Sequence, residues 1–320
     1  MRSPVGASLR VGAIALSAQI VLSVVCGAAM ADVSIVLKND FISKYKNRAT
    51  LEAVYTVEHA HAHPNAPSKD GDLHFAGTSP DIGLACVAEI MNATGQDAAV
   101  QRVHDAESSH QPLAIEGAWR LWPEHANGGQ DFTQDAAVAP IVNTNPPHVF
   151  ELHPVTGVDG IDVRSGLTPI EGYEPKDPEV AFAAYEAHAC EIIPRWNSTT
   201  LVTSTIGYNY VQFRLHLLED PTHVLDDGGL SVYGSVFPES GADDEPIVSR
   251  LRFVFLPGSP PLEQVKQLHA GDNFTVLGIP RIDLALVEFR RKKKGAYLRR
   301  SLPYEILVVG VASPRNAPIP

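Results

Sequence analysis

The strongest constraint on this chain is a hydrophobic period of two. Leu51, Ala53, Tyr55 and Val57 alternate with Glu52, Thr56 and Glu58, and successive side chains of an extended strand point to opposite faces, so the segment has one apolar side. Strands of similar kind are expected at residues 72–76, 85–91, 113–122 and 148–158. Between the third and fourth of these five strands, residues 94–103 read as a short helix with Thr94 as N-cap. With 44% hydrophobic and 19% charged residues the chain has the apolar surface for one or two cores, which excludes a disordered polymer.

The second half repeats this order. Strands are expected at residues 199–218, 230–237, 247–256, 273–289 and 304–311, and a helix starts at Ser259-Pro260-Pro261 and stops by Gly271. Three strands, a helix and two strands within about 110 residues resemble the OB-fold, a small Greek-key barrel. The resemblance implies a mostly β fold: two small OB-like β-barrel domains, residues 32–167 and 199–320, joined over residues 168–198 by a linker and one helix. That helix opens with Asp177 as N-cap and Pro178 at the first helical position, and is expected to close at Pro194.

Residues 1–31 read as a signal peptide: Arg2 and Arg10 are basic, residues 11–25 are apolar, and Ala29-Met30-Ala31 has the small-x-small form of a cleavage site. The expected location is secreted or periplasmic, with no transmembrane segment after cleavage. Removing Arg2 and Arg10 leaves 23 basic against 37 acidic residues, a charge of −14. Such a chain does not coat nucleic acid over its whole surface. In an oxidising compartment the two remaining cysteines, Cys86 and Cys190, form either one disulfide or two separate buried thiols.

Three strings, Asp72-Leu73-His74, Val87-Ala88-Glu89-Ile90 and Glu151-Leu152-His153-Pro154-Val155, resemble the D-x-H, A-E-I-P and E-[LI]-H-P-V signatures of an uncharacterised family of exported bacterial proteins. Met91-Asn92 stands where that family has proline, and the likeness covers about residues 50–160. It implies export and a β-rich domain, and no chemistry.

Two residue sets carry chemical potential. His59, His61 and His63 alternate at the end of the first strand, and Asp72 with His74 and Glu151 with His153 each share a face. Imidazoles and carboxylates so placed bind Zn²⁺ or Mn²⁺, or serve as acid and base. The competing reading puts Leu73, Phe75, Phe150 and Leu152 inside the barrel and the polar residues on its outer surface. Loop histidines at 125 and 148 are expected to approach the same rim.

The second set is basic: Arg290, Arg291, Lys292, Lys293, Lys294, Arg299 and Arg300 fall within 11 positions, with Tyr297 among them. It is expected to form a hairpin tip between the fourth and fifth strands of the second barrel. There it offers a surface for single-stranded nucleic acid, acidic polysaccharide or lipid headgroups. No nucleophile-elbow, zinc-protease, Walker or dinucleotide-binding motif is present. The leading reading is therefore a binding protein for an anionic partner, with enzymatic activity disfavoured but left open. A metal-dependent hydrolase and an envelope structural protein are the alternatives.

Overall fold

The computed structural model describes residues 32–127, 129–239 and 245–312. The signal peptide expected over residues 1–31 lies outside them. The chain opens with β1 (Val33–Lys38) and α1 (Asn39–Tyr45). It continues through β2 (Thr50–Ala60), β3 (Leu73–Thr78), β4 (Ala85–Ile90), α2 (Asp97–Ser109), β5 (Leu113–Leu121), β6 (Asp131–Thr133), β7 (Phe150–Val158) and β8 (Ile161–Asp162). Pairing runs β4, β3, β2, β5, β7, and β4 closes on β7 in parallel, so five strands form a closed barrel.

Then follow α3 (Pro178–Ala187), β9 (Ala189–Pro194), β10 (Ser198–Thr203), β11 (Val211–Leu217), β12 (His223–Val224), β13 (Leu230–Phe237), β14 (Val248–Phe255), α4 (Pro260–Val265), β15 (Asn273–Ile282), α5 (Leu284–Arg291), β16 (Arg299–Ser301) and β17 (Tyr304–Ala312). A second closed barrel runs β11, β15, β17, β14, β13 and back to β11, with β14 and β17 parallel. Numbered within each barrel, the strand order is the same, 1-2-3-5-4-1, with a helix between the third and fourth strands. The mostly β, OB-like architecture expected from the sequence is therefore the one adopted, twice.

The alternation places Leu51, Ala53, Tyr55 and Val57 inside the first barrel with Phe75, Trp119 and Leu152. α2 packs by Ala99, Val103 and Ala106, one stripe at helical spacing. The barrels meet through the outer faces of β14, β15 and β17, whose Val254, Leu277, Ile279 and Leu307 pack with Ala118, Met91 and Ile170. A third sheet, ordered β16, β9, β10, β1, β6, takes strands from before the first barrel, from the connection, and from the loop between the fourth and fifth strands of each barrel. It ties both halves together.

Several expected elements are corrected. Residues 199–218 are two strands, because pairing stops at Thr203 and resumes at Val211, with Tyr208 between them in the left-handed region at φ +73°. The strand expected through residue 289 stops at Ile282, where Asp283 accepts from the Leu286 amide and caps α5. The connecting helix ends at Ala187, not at Pro194, and residues 189–194 become β9, which alternates Cys190 and Ile192 inward. In the first barrel α2 begins at Asp97, with Thr94 in the preceding turn. Cys86 and Cys190 are unbonded and buried on different sheets, so the disulfide expectation gives way to separate thiols. Burial pushes the Cys190 thiol up to about 12.

The first barrel closes tightly at Gly77, opposite a bulge between Val57 and His59. A Cβ there would lie 2.0 Å from the Thr56 carbonyl oxygen and 2.9 Å from the Tyr55 ring. Gly77→Ala is expected to destabilise the protein by about 2 kcal/mol, read as a lower urea midpoint with unchanged slope.

Candidate functional site

Two places on the barrels concentrate polar chemistry. On the first barrel, Asp72 precedes β3, His74 lies on β3, Glu89 on β4, and Glu151 and His153 on β7. Their neighbours Leu73, Phe75, Ala88 and Leu152 fill the interior, so the period of two turns all five outward. Outward is not exposed here: Asp72, Glu89, Glu151 and His153 are 0, 2, 1 and 0% accessible. Cover comes from the connection, where Tyr210 donates its hydroxyl to Asp72 Oδ2 at 2.6 Å and Tyr173 packs edge-on against Tyr210. The three sequence strings therefore meet at one buried point.

His153 is the hub. Its Nε2 lies 2.8 Å from the Tyr210 hydroxyl and 3.5 Å from Asp72 Oδ2, while Nδ1 lies 3.2 Å from Glu89 Oε2 and 3.4 Å from Glu151 Oε2. His74 Nε2 is 3.5 Å from Glu89 Oε2 and 3.7 Å from Asp70. Glu151 is held by Arg120 at 2.5 Å and by His148 at 3.1 Å, and Arg120 also pairs with Glu124. Burial alone disfavours the charged imidazoles, but Glu89 and its neighbouring carboxylates outweigh it, raising His153 to about 10 and His74 to about 9. Burial also raises the Glu89 carboxyl against the pull of both histidines. On Glu151 it is outweighed by Arg120, which holds that carboxyl well below the usual range. Carboxylates and imidazoles so placed have the donor atoms to share a proton or to hold a cation.

The expected triplet His59, His61, His63 does not converge. The bulge after Val57 shifts the parity, so His59 leaves the apolar face and its Nε2 meets the Ile141 carbonyl at 3.1 Å. β2 ends at Ala60, His61 stacks on His74 with centroids 5.0 Å apart, and His63 is exposed. His125 and His148 do approach Glu151, as a stacked pair 4.8 Å apart.

The second place is a cleft of about 840 Å³ on the outer face of β13 and β14. Ser231, Tyr233, Arg250 and Arg252 form its floor, Glu219 and Asp220 one wall, and α5 with Phe289 the other. Arg250 lies 3.9 Å over the ring of Tyr233, which is 36% exposed, and Phe289 is 50% exposed. The corresponding face of the first barrel is closed, because Ile141 packs onto Ala76 and Val87. The duplicated barrels are thus unequal: one outer face is filled by its own loop, the other is open.

The basic segment runs on from the α5 wall of this cleft, where Lys293 lies over Phe289, and it is not the simple hairpin tip expected. It comprises the end of α5, a 3-10 turn at Gly295–Leu298 and edge strand β16. Its cations are unequally available. Arg290 is buried and donates to the Ser301 carbonyl, Arg291 and Lys292 pair with Glu288, and Arg299 pairs with Glu191. Lys293 lies 4.7 Å over Phe289 and Arg300 4.6 Å over Tyr297, two exposed rings 6.3 Å apart. Lys292, Lys293 and Lys294 are exposed. Sequence reasoning passed over Glu89, Arg120, Tyr210, Tyr233, Arg250 and Phe289. Only Glu89 carried a signal, within the second of the three strings.

No family model matches the chain, and no curated protein matches it. Among solved structures, the SSB domain of a Synechococcus sp. protein is 18% identical, covering 33% of this chain and 94% of its own, with a TM-score of 0.20. The single-stranded DNA binding protein from Thermus aquaticus is 9% identical, covering 85% of this chain and 94% of its own, with a TM-score of 0.23. A deletion mutant of that protein is 11% identical, with a TM-score of 0.23.

Proposed function

We propose that this chain binds an extended anionic polymer, best fitted by single-stranded nucleic acid, in the cleft of the second barrel. The observation that carries the reading is the open β13–β14 face, with Tyr233, Arg250 and Arg252 on its floor and Phe289 on one wall, flanked by the two loops that border the ligand face of an OB barrel. Tyr233 and Phe289 are exposed rings flanked by the cations of Arg250 and Lys293, and Lys292 and Lys294 are exposed on either side of Lys293 in the chain. Glu219 and Asp220 line the opposite wall, which repels phosphates and steers the backbone to the α5 side. In a chain of net charge −12, a local cationic segment selects anions by position and not by total charge.

The test is fluorescence anisotropy with a labelled thymidine oligomer at two salt concentrations, with heparin and anionic vesicles as competitors. Tyr233→Ala and Phe289→Ala are each expected to weaken binding about tenfold. Changing Lys292, Lys293 and Lys294 together to Ser is expected to lower the salt slope by about two to three. Unchanged affinity in the triple variant overturns the reading, and heparin or vesicles displacing the oligomer at far lower concentration reassigns the ligand. The hydrolase reading finds no comparable support, because water and substrate must reach a hydrolytic ion and Asp72, Glu89, Glu151 and His153 are sealed by Tyr210 and their own sheet.

A further inference from the structure

The buried cluster on the first barrel gathers carboxylates around imidazoles with some of its polar atoms left without a hydrogen bond. Asp72, Glu89 and Glu151 bring three carboxylates into a region closed to solvent. Arg120 is the guanidinium among them, and it is committed to Glu151 and Glu124. Asp72 accepts from the Tyr210 hydroxyl and the Asn92 amide, and Glu89 has the imidazoles of His74 and His153 as its neighbours. A buried carboxylate is tolerated only when paired or bound to a cation.

The hydrogen bonds fix which side of His153 is free. Tyr210 gives its proton to Asp72 at 2.6 Å, so its oxygen accepts from His153 Nε2 at 2.8 Å, and Nε2 carries a hydrogen. That leaves Nδ1 as the free donor atom, and it points among carboxylate oxygens. Nδ1 and Glu89 Oε2 are only 3.2 Å apart, yet neither makes an aligned hydrogen bond, and His74 Nε2 beside them makes none either. Two ligands bound at about 2.1 Å to one tetrahedral ion stand about 3.2–3.5 Å apart, each off the other's lone-pair axis, so such ligands are close without being hydrogen-bonded. Asp72, Glu89 and His153 bring one donor atom apiece within 4.8 Å of one another, with Glu89 on the Nδ1 side of the ring and Asp72 on the Nε2 side.

We propose that Asp72, Glu89 and His153 hold a structural divalent transition-metal ion of the zinc class, with His74 flanking it. Imidazole with carboxylates is a borderline-to-hard donor set, suited to Zn²⁺, Co²⁺ or Mn²⁺. Tyr210 is the outer support that sets the tautomer of His153. Because Tyr210 directly precedes β11, an ion here ties the first barrel to the strand that begins the second. The site is sealed, so its ion is structural; it is separate from the cleft and does not depend on what the cleft binds.

The full chain, purified without a histidine tag and stripped by chelation, is titrated with Zn²⁺ and separately with Co²⁺. Stoichiometry is read by elemental mass spectrometry, and site geometry by the cobalt absorption bands. Wild type is expected to take up about one ion per chain and to melt at a higher temperature when loaded. Glu89→Gln keeps the shape of the side chain and is expected to lose that ion and the melting shift. Tyr210→Phe is expected to bind about 10- to 100-fold more weakly. A wild-type chain that stays metal-free in excess Zn²⁺ overturns the proposal. So does a Glu89→Gln protein that keeps wild-type stoichiometry, since the ion would then lie elsewhere, on surface histidines such as His63.

Discussion

Replacing Glu305 by alanine is expected to cost about 3–5 kcal/mol of stability, the cost of leaving buried charge uncompensated. Glu305 is 1% exposed on the outer face of β17, and its two oxygens accept from Arg281 Nε at 2.7 Å and Arg252 Nη1 at 2.9 Å. Arg281, also 1% exposed, reaches from β15 across the seam between the barrels. It lies 3.6 Å over the Trp119 ring and donates to the carbonyls of Ala49 and Trp119 at 3.0 Å. Without Glu305, the Arg281 guanidinium stays in a seam otherwise packed by Val254, Leu277 and Leu307 with no carboxylate partner, while Arg252 keeps Asp283 at 3.7 Å. Urea unfolding measures the loss, and pairing Glu305→Leu with Arg281→Met is expected to recover much of it, since both charges then leave together. A loss below about 1 kcal/mol for Glu305→Ala would show that water reaches the seam.

Much of this fold was legible because a strand buried on one side repeats every two residues. Leu51 to Val57 point inward as the alternation requires, and the strand, helix and strand order is that of both barrels. Illegible were the features decided by partners far along the chain. β9 and β16 are strands because each completes the third sheet, and residues 299–301 hold no apolar alternation of their own. α5 was missed although Asp283, Leu284 and Val287 have helical capping and spacing, because the preceding strand's apolar run passes into them without a break.

The candidate sites divide in the same way. Parity correctly set Asp72, His74, Glu151 and His153 outside the barrel, but outside was equated with solvated, and the residue that buries Asp72 is Tyr210, 138 positions later. The histidine triplet failed on a single bulge, which alternation cannot foresee. The basic run was found by composition alone. Its companions Tyr233 and Arg250 come from β13 and β14, so the cleft exists only once the barrel has closed.

Asp283 gives the pH-dependent expectation. Burial, and then the negative charge of Glu305, raise its carboxyl from 3.8 to about 6, even though Arg252 and the amides at the start of α5 favour the anion. A folded-state pKa above the unfolded one means that this group's stabilising contribution is complete below about pH 4 and is lost as pH rises through about 6. Two units correspond to about 3 kcal/mol. Asp283→Asn keeps a side-chain oxygen for the Leu286 amide and removes the charge. The variant is therefore expected to exceed wild type by about 3 kcal/mol at pH 8 and by about 0.5 kcal/mol at pH 4, measured by urea unfolding across that range. A constant difference between the two proteins from pH 4 to pH 8 would place the Asp283 carboxyl at its ordinary value, with Arg252, 3.7 Å away, fully offsetting its burial.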